Sequence, residues 1–194
     1  VRYLKENNIR YRTLSATEIP RFIDAATALQ TPAADSILLA LYTGMRIGEV
    51  CTLKWEYWHP DMHQLILPDT KSGHPFTCPL APPAIAVVQC QQDLMLSKTY
   101  IFPRLTDNAR PLAYPRATFA RICRDADIDN LRMHDLRRTF ATRVLQATGD
   151  IAIASHLLNH HSLTATRRYA FHNAATSHAV VSQVIESYDT KMNL

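Results

Sequence analysis

In the last third of the chain, Met133-His134-Asp135-Leu136-Arg137-Arg138 precedes Leu158-Asn159-His160-His161 and then Arg167-Arg168-Tyr169. Arg137 follows His134 by three residues, His160 follows Arg137 by 23, and Tyr169 follows His160 by nine, an odd inventory for plain packed core. A tyrosine served by cations suggests phosphoryl transfer with the phenol as nucleophile. A phenol of ordinary pKa, ~10, is ionised in only about one molecule in a thousand at neutral pH, a deficit of roughly 4 kcal/mol. His134 or His160 could accept that proton, because imidazole exchanges protons near pH 7. Attack on a phosphodiester also needs cationic donors at the non-bridging oxygens, and the fork of Arg137 suits them better than an ammonium.

These groups need elements to carry them. From Leu131 to Leu145, Leu136, Phe140 and Val144 recur every four residues, so a helix presents His134 and Arg137 on one face. His134 could instead be an ordinary core histidine, the commoner fate of a lone His. Asp150 caps a further helix with Ile151, Ala154, Leu157 and Leu158 inward, and Asn159 suits a left-handed helix end, which puts His160 just beyond it. Ser162 restarts a helix through Tyr169, and a last apolar stripe carries Val180, Val181, Val184 and Ile185, fit to pack on its own domain or on a neighbour.

Upstream, residues 1–14 have no steady period and read as a linker or tail, with one domain over 15–194. Ser15-Ala16-Thr17-Glu18 is a capping box ahead of Ile19, Phe22, Ile23 and Ala26, so the first helix begins near residue 16. Pro32 opens a second helix whose run Ile37 to Tyr42 is buried on all sides and which Gly44 ends. Arg46 then stands at a turn between apolar stretches. Its charge must be paired or face a cleft, and Glu49, three residues on, is the partner at hand; a plain surface ion pair fits equally well. Gln64–Leu67 and Phe76–Leu80 read as strands around Ser72-Gly73, a hairpin signal, with Lys71 at its turn. A lysine there is often only solubilising. Helices follow from Pro82-Pro83 through Ile85, Val88 and Leu94 and over Thr118–Ala126, with Tyr100–Pro103 a short extended stop. The fold class is therefore α+β, mainly α-helical with a small antiparallel sheet.

The composition fits that reading. The chain has 194 residues, 47% hydrophobic, enough for one domain with a full core, and the four glycines argue against low complexity. No apolar run reaches the length of a membrane span. Cys51, Cys78, Cys90 and Cys123 form no C-x-x-C pair, so neither a structural zinc site nor a disulfide framework is expected, and a reducing cytoplasm is the simplest setting. The net charge of +4 is unevenly spread: residues 1–97 hold 8 basic and 9 acidic side chains, residues 98–194 hold 13 and 8. Of the 21 basic residues 16 are Arg, a bias toward forked contacts with phosphate. The chain opens on Val1 with neither an initiator Met nor a signal-peptide pattern, so we expect a piece of something longer, with a further domain upstream.

Arg46 in Thr43-Gly44-Met45-Arg46-Ile47-Gly48-Glu49, Lys71 in a hairpin, His134-x-x-Arg137, Leu-Leu-Asn-His ending at His160, and Arg167-Arg168-Tyr169-Ala170 together resemble the catalytic domain of the tyrosine recombinases, the phage-integrase family. The likeness covers most of residues 15–175 in the family's order. It implies the DNA breaking-rejoining fold, a site-specific recombinase and double-stranded DNA as partner. Tyr169 would form a 3′-phosphotyrosyl link and free a 5′-hydroxyl. Arg46 and Arg137 would bind the non-bridging oxygens, and His160 would donate a hydrogen bond to the same group. Lys71 would protonate the leaving oxygen, His134 would move a proton at Tyr169, and Glu49 would orient the site from behind. No metal or other cofactor is implied. The family acts as a DNA-bound homotetramer, with accessory DNA-bending proteins a further partner class, and its upstream domain closes around DNA. The family usually has Gly where Asn159 stands, but Asn tolerates the same left-handed backbone. Type IB topoisomerase-like relaxation is the related enzymatic alternative, and a DNA-binding regulator on a decayed scaffold the non-enzymatic one. A regulator would be expected to have lost Tyr169 or an arginine.

Overall fold

The computed structural model describes residues 11–68 and 75–159. Lys71, the Ser72-Gly73 turn, His160, Tyr169 and the stripe from Val180 to Ile185 lie outside them.

Seven α-helices are found among the described residues. The first, α1 (Glu18–Thr27), is preceded by the reciprocal pair its sequence signals: the Ser15 N–H donates to Glu18 Oε2 at 2.8 Å and the Glu18 N–H donates to Ser15 Oγ at 3.2 Å. The regular helix thus starts two residues beyond the expected point, a normal displacement at a capped end. Glu18 is also gripped by Arg12, whose Nη1 donates to Oε2 at 2.8 Å and whose bonds hold the Glu18 carboxyl down at about 2. The stretch just ahead of α1, expected to be linker or tail, is anchored where it is described: Leu14 is buried and its N–H donates to Thr139 Oγ1 at 2.9 Å.

The hub is α2 (Pro32–Thr43), with Thr31 capping its start and Gly44, φ 68°, closing it. Its Ile37–Leu41 run is buried throughout, as a helix apolar on all sides must be. It packs against α1 and against α3 (Ile47–Cys51), α4 (Pro82–Leu94), α5 (Arg116–Asp125) and α6 (Met133–Thr148). Phe22 of α1 meets Phe119 of α5 at 6.0 Å between ring centroids. The buried side of α4 is Ala84, Val87, Val88 and Gln91 rather than a stripe through Leu94, which is exposed. Gln91 turns inward because Asp35 of α2 accepts its side-chain N–H. Burial raises the Asp35 pKa, and the bond from Gln91 opposes the shift.

Three antiparallel strands, β1 (Trp58–His59), β2 (Gln64–Leu67) and β3 (Phe76–Pro79), lie in that order, with Leu65 opposite Cys78 and Leu67 opposite Phe76. Those four side chains are buried, so one face of the sheet lies on the core. Strands β2 and β3 were legible as a hairpin. Neither β1 nor the separate pair β4 (Pro103–Arg104) and β5 (Asp107–Pro111) was, and the expected extended stop at Tyr100–Pro103 feeds that pair. Finally, α7 (Ile151–Leu157) packs on α6. It is capped by Asp150 Oδ1, which accepts from Ala152 N at 2.6 Å, and Asn159 beyond it has φ 50°. No helix among the described residues is long and apolar enough to cross a membrane, and all four cysteines are free thiols.

Candidate active site

The reversal between α2 and α3 places Arg46. Gly44 takes a left-handed backbone there, and a Cβ at that point would collide with the Phe140 ring and come within 2.9 Å of Leu158 Cδ2. Glycine thus allows α6 and the end of α7 to close onto the turn. Arg46 is the residue before α3, and Glu49, third residue of that helix, answers it twice: the backbone N–H of Arg46 donates to Oε2 at 3.1 Å and its Nη1 donates to Oε1 at 3.0 Å. The Arg46 side chain is 48% exposed, so it is at once an ion pair and a cation facing a cleft. Both sequence readings of Arg46 hold together.

Arg137 differs sharply in environment. It is 3% exposed on the inner face of α6, a costly place for a charge unless it is well bonded. Its Nη1 donates to the Gly44 carbonyl at 2.7 Å and its Nη2 to the Leu158 carbonyl at 2.6 Å, partners 93 and 21 residues away in sequence. The guanidinium therefore joins the α2–α3 turn to the last residues of α7. Just upstream, Asp135 is buried at the third position of α6. It accepts from the Arg132 N–H at 2.9 Å and from Arg138 Nη1 at 3.4 Å, fixing the first turn that carries His134. Sequence reasoning missed this role; an acid three residues after a helix cap was the available signal.

His134 is no core histidine, because the residue is exposed and lines a cleft. Its pKa is lowered: crowding by the cleft walls disfavours the charged ring first, then the charges of Arg137 and Arg138, with Asp135 partly opposing. The ring is thus neutral at pH 7, the form that accepts a proton.

One cleft of about 760 Å³ brings Arg46, Glu49, His134 and Arg137 together, from the α2–α3 turn, α3 and the first turns of α6. Four of the seven residues expected at the site are therefore neighbours, while Lys71, His160 and Tyr169 fall outside the described residues. The same cleft, unforeseen from the sequence, is also lined by Lys54, Tyr57, Tyr100 and Tyr114. Chemically the cleft offers two guanidiniums, one held by a carboxylate, beside a neutral imidazole. Such a set can bind a phosphoryl group and move one proton.

Several known proteins are similar to this chain. The tyrosine recombinase XerC of Xanthomonas campestris pv. campestris (strain B100) is 28% identical over 166 residues, covering 81% of this chain and 50% of its own. The chain spans about half the length of the curated relatives it matches. The crystal structure of XerA recombinase superposes with a TM-score of 0.74 and 25% identity over 94% of this chain and 66% of that one. The XerH site-specific recombinase, solved bound to its difH substrate before cleavage, shares the fold with a TM-score of 0.72 at 19% identity, over 90% of this chain and 54% of that one. Residues 12–176 match the pattern of the phage integrase family, and the chain belongs to that family.

Proposed function

We propose that this chain is the catalytic domain of a site-specific DNA recombinase that cleaves and rejoins double-stranded DNA through Tyr169. The observation that carries the reading is the convergence of Arg46, Arg137 and a proton-accepting His134 on one cleft, with Glu49 bonded to Arg46 from the side.

The Tyr169 phenol loses its proton, with His134 accepting it, and its oxygen attacks the scissile phosphorus. The new bond is a 3′-phosphotyrosyl ester, and the bond that breaks releases the 5′-oxygen, protonated by Lys71. Arg46 and Arg137 bind the non-bridging oxygens as charge grows on them, and His160 donates a further hydrogen bond. A 5′-hydroxyl from a partner strand reverses the step. The phosphodiester bond energy is kept in the tyrosyl ester, so the exchange needs no nucleotide hydrolysis. Residues 1–14 lead from a preceding DNA-binding domain, and the complete protein acts in the cytoplasm as a DNA-bound homotetramer, aided where its site requires it by DNA-bending proteins. Support comes from family membership, from the XerH complex and from the cleft itself.

The test is covalent trapping. The natural protein is incubated with fragmented DNA of its own host, denatured, and probed for protein-linked DNA, whose ends are then sequenced. Wild type is expected to give an adduct at a defined site and Tyr169→Phe none. An adduct that persists in Tyr169→Phe removes that tyrosine from the reaction. Plasmid relaxation without any recombinant product favours the topoisomerase reading.

A further inference from the structure

Lys54, Tyr57, Tyr100 and Tyr114 line the cleft with no assigned role, and their placement is built rather than incidental. Lys54 sits on a backbone pinned to the segment before β4: Lys54 and Tyr100 form an antiparallel bridge, Trp55 N–H donates to the Thr99 carbonyl at 3.0 Å, and Ile101 N–H donates to the Leu53 carbonyl at 3.0 Å. The Trp55 indole adds a bond to the Ser97 carbonyl at 2.9 Å. Its ammonium is steered by two neighbours, Glu56 Oε1 at 3.0 Å and the Tyr57 ring at 5.7 Å to the centroid. Both favour the charged form and raise its pKa, Glu56 most. The side chain is nonetheless 38% exposed and faces the same cleft as Arg46 and Arg137. An ion pair at such exposure is weak, so a phosphate can compete with Glu56 for the ammonium.

Duplex DNA carries a phosphate at every nucleotide, so a strand whose scissile phosphate sits between Arg46 and Arg137 must lay its neighbouring phosphates along the cleft walls. We propose that Lys54 binds a phosphate next to the scissile one on the cleaved strand, with Tyr57 and Glu56 holding the ammonium ready, and that it is a positioning residue for the strand. This rests on the proposed recombinase reading for its ligand, but its test does not require cleavage.

The natural protein is titrated with a random-sequence duplex of about 20 base pairs over a series of KCl concentrations, reading fluorescence anisotropy; loss of one phosphate contact flattens the log–log salt slope by about 0.9. Lys54→Gln is expected to show that flattening, and Lys54→Arg to keep the wild-type slope. Glu56→Gln, which frees the ammonium, is expected to bind several-fold more tightly. A slope in Lys54→Gln equal to wild type overturns the proposal. At the mapped cleavage site, a methylphosphonate that neutralises one phosphate beside the scissile one is expected to weaken wild type and leave Lys54→Gln little changed, and additive losses at every position count against the contact. In cleavage assays of Lys54→Gln, the DNA concentration for half-maximal rate is expected to rise more than the saturating rate falls. The reverse split would put Lys54 on the reacting group instead. Failure of the recombinase reading is separately visible as the absence of a Tyr169-dependent adduct.

Discussion

Arg137 and His134 share one helical face yet carry different burdens. Arg137 is buried and bonded to two carbonyls, so its charge is held in place before any substrate arrives, and the proposed phosphoryl transfer would need little reorganisation of it. Arg137→Ala is expected to slow adduct formation by about two to three powers of ten while leaving most DNA affinity, measured as single-turnover trapping against anisotropy. Normal cleavage by that variant would take Arg137 out of the site. For His134 the direction of the shift sets the pH behaviour. Its pKa lies below the ordinary 6.5, so the neutral, proton-accepting ring persists as pH falls through 6.5 and is lost only lower, through the depressed value. The acid limb of the cleavage rate is therefore expected below pH 6.5 and absent in His134→Gln, and a wild-type limb centred above 6.5 contradicts the assignment.

At the scale of elements, the tightest constraint is Gly44. A side chain there meets both a left-handed backbone and the Phe140 ring, so Gly44→Ala is expected to lose about 2–4 kcal/mol in urea unfolding. Gly44→Asn relieves the backbone part alone and should recover only about 1 kcal/mol of it. An unchanged urea midpoint in Gly44→Ala would show that the turn does not need the close approach. Gly44 was legible in the sequence as a helix end because that signal is local. So were the Ser15–Glu18 box, the Asp150 cap, the left-handed Asn159 and the Arg46–Glu49 pair, all set by residues a turn apart. By contrast β1 and β4 are two residues each and exist only through partners elsewhere, so neither propensity nor period could announce them. Helix α4 was found but its inward face misread, because Gln91 is drawn in by Asp35 of another helix. Within the cleft, residue types named Arg46, His134 and Arg137. The depth of Arg137 and the Lys54 wall needed the packed structure, since both depend on carbonyls and rings far away in the chain.

Over the whole molecule the charge is uneven: residues 98–194 carry 13 basic against 8 acidic side chains and the first half is nearly balanced. Binding of the chain to duplex DNA is expected to be modest and to fall at least about tenfold between about 50 and 200 mM salt, as release of counterions from a few phosphates requires. Salt-insensitive binding would point to a partner other than a polyanion. The same guanidinium that this fold places in the cleft also closes the seam between Gly44 and Leu158. If Leu158, just beyond α7, moved away, Arg137 would lose its bond to that carbonyl, so the placing of a group proposed to bind phosphate depends on how that segment packs. Under the proposed recombinase reading, readiness to bind the scissile phosphate and correct packing of the domain would be sensed by the same pair of nitrogen atoms.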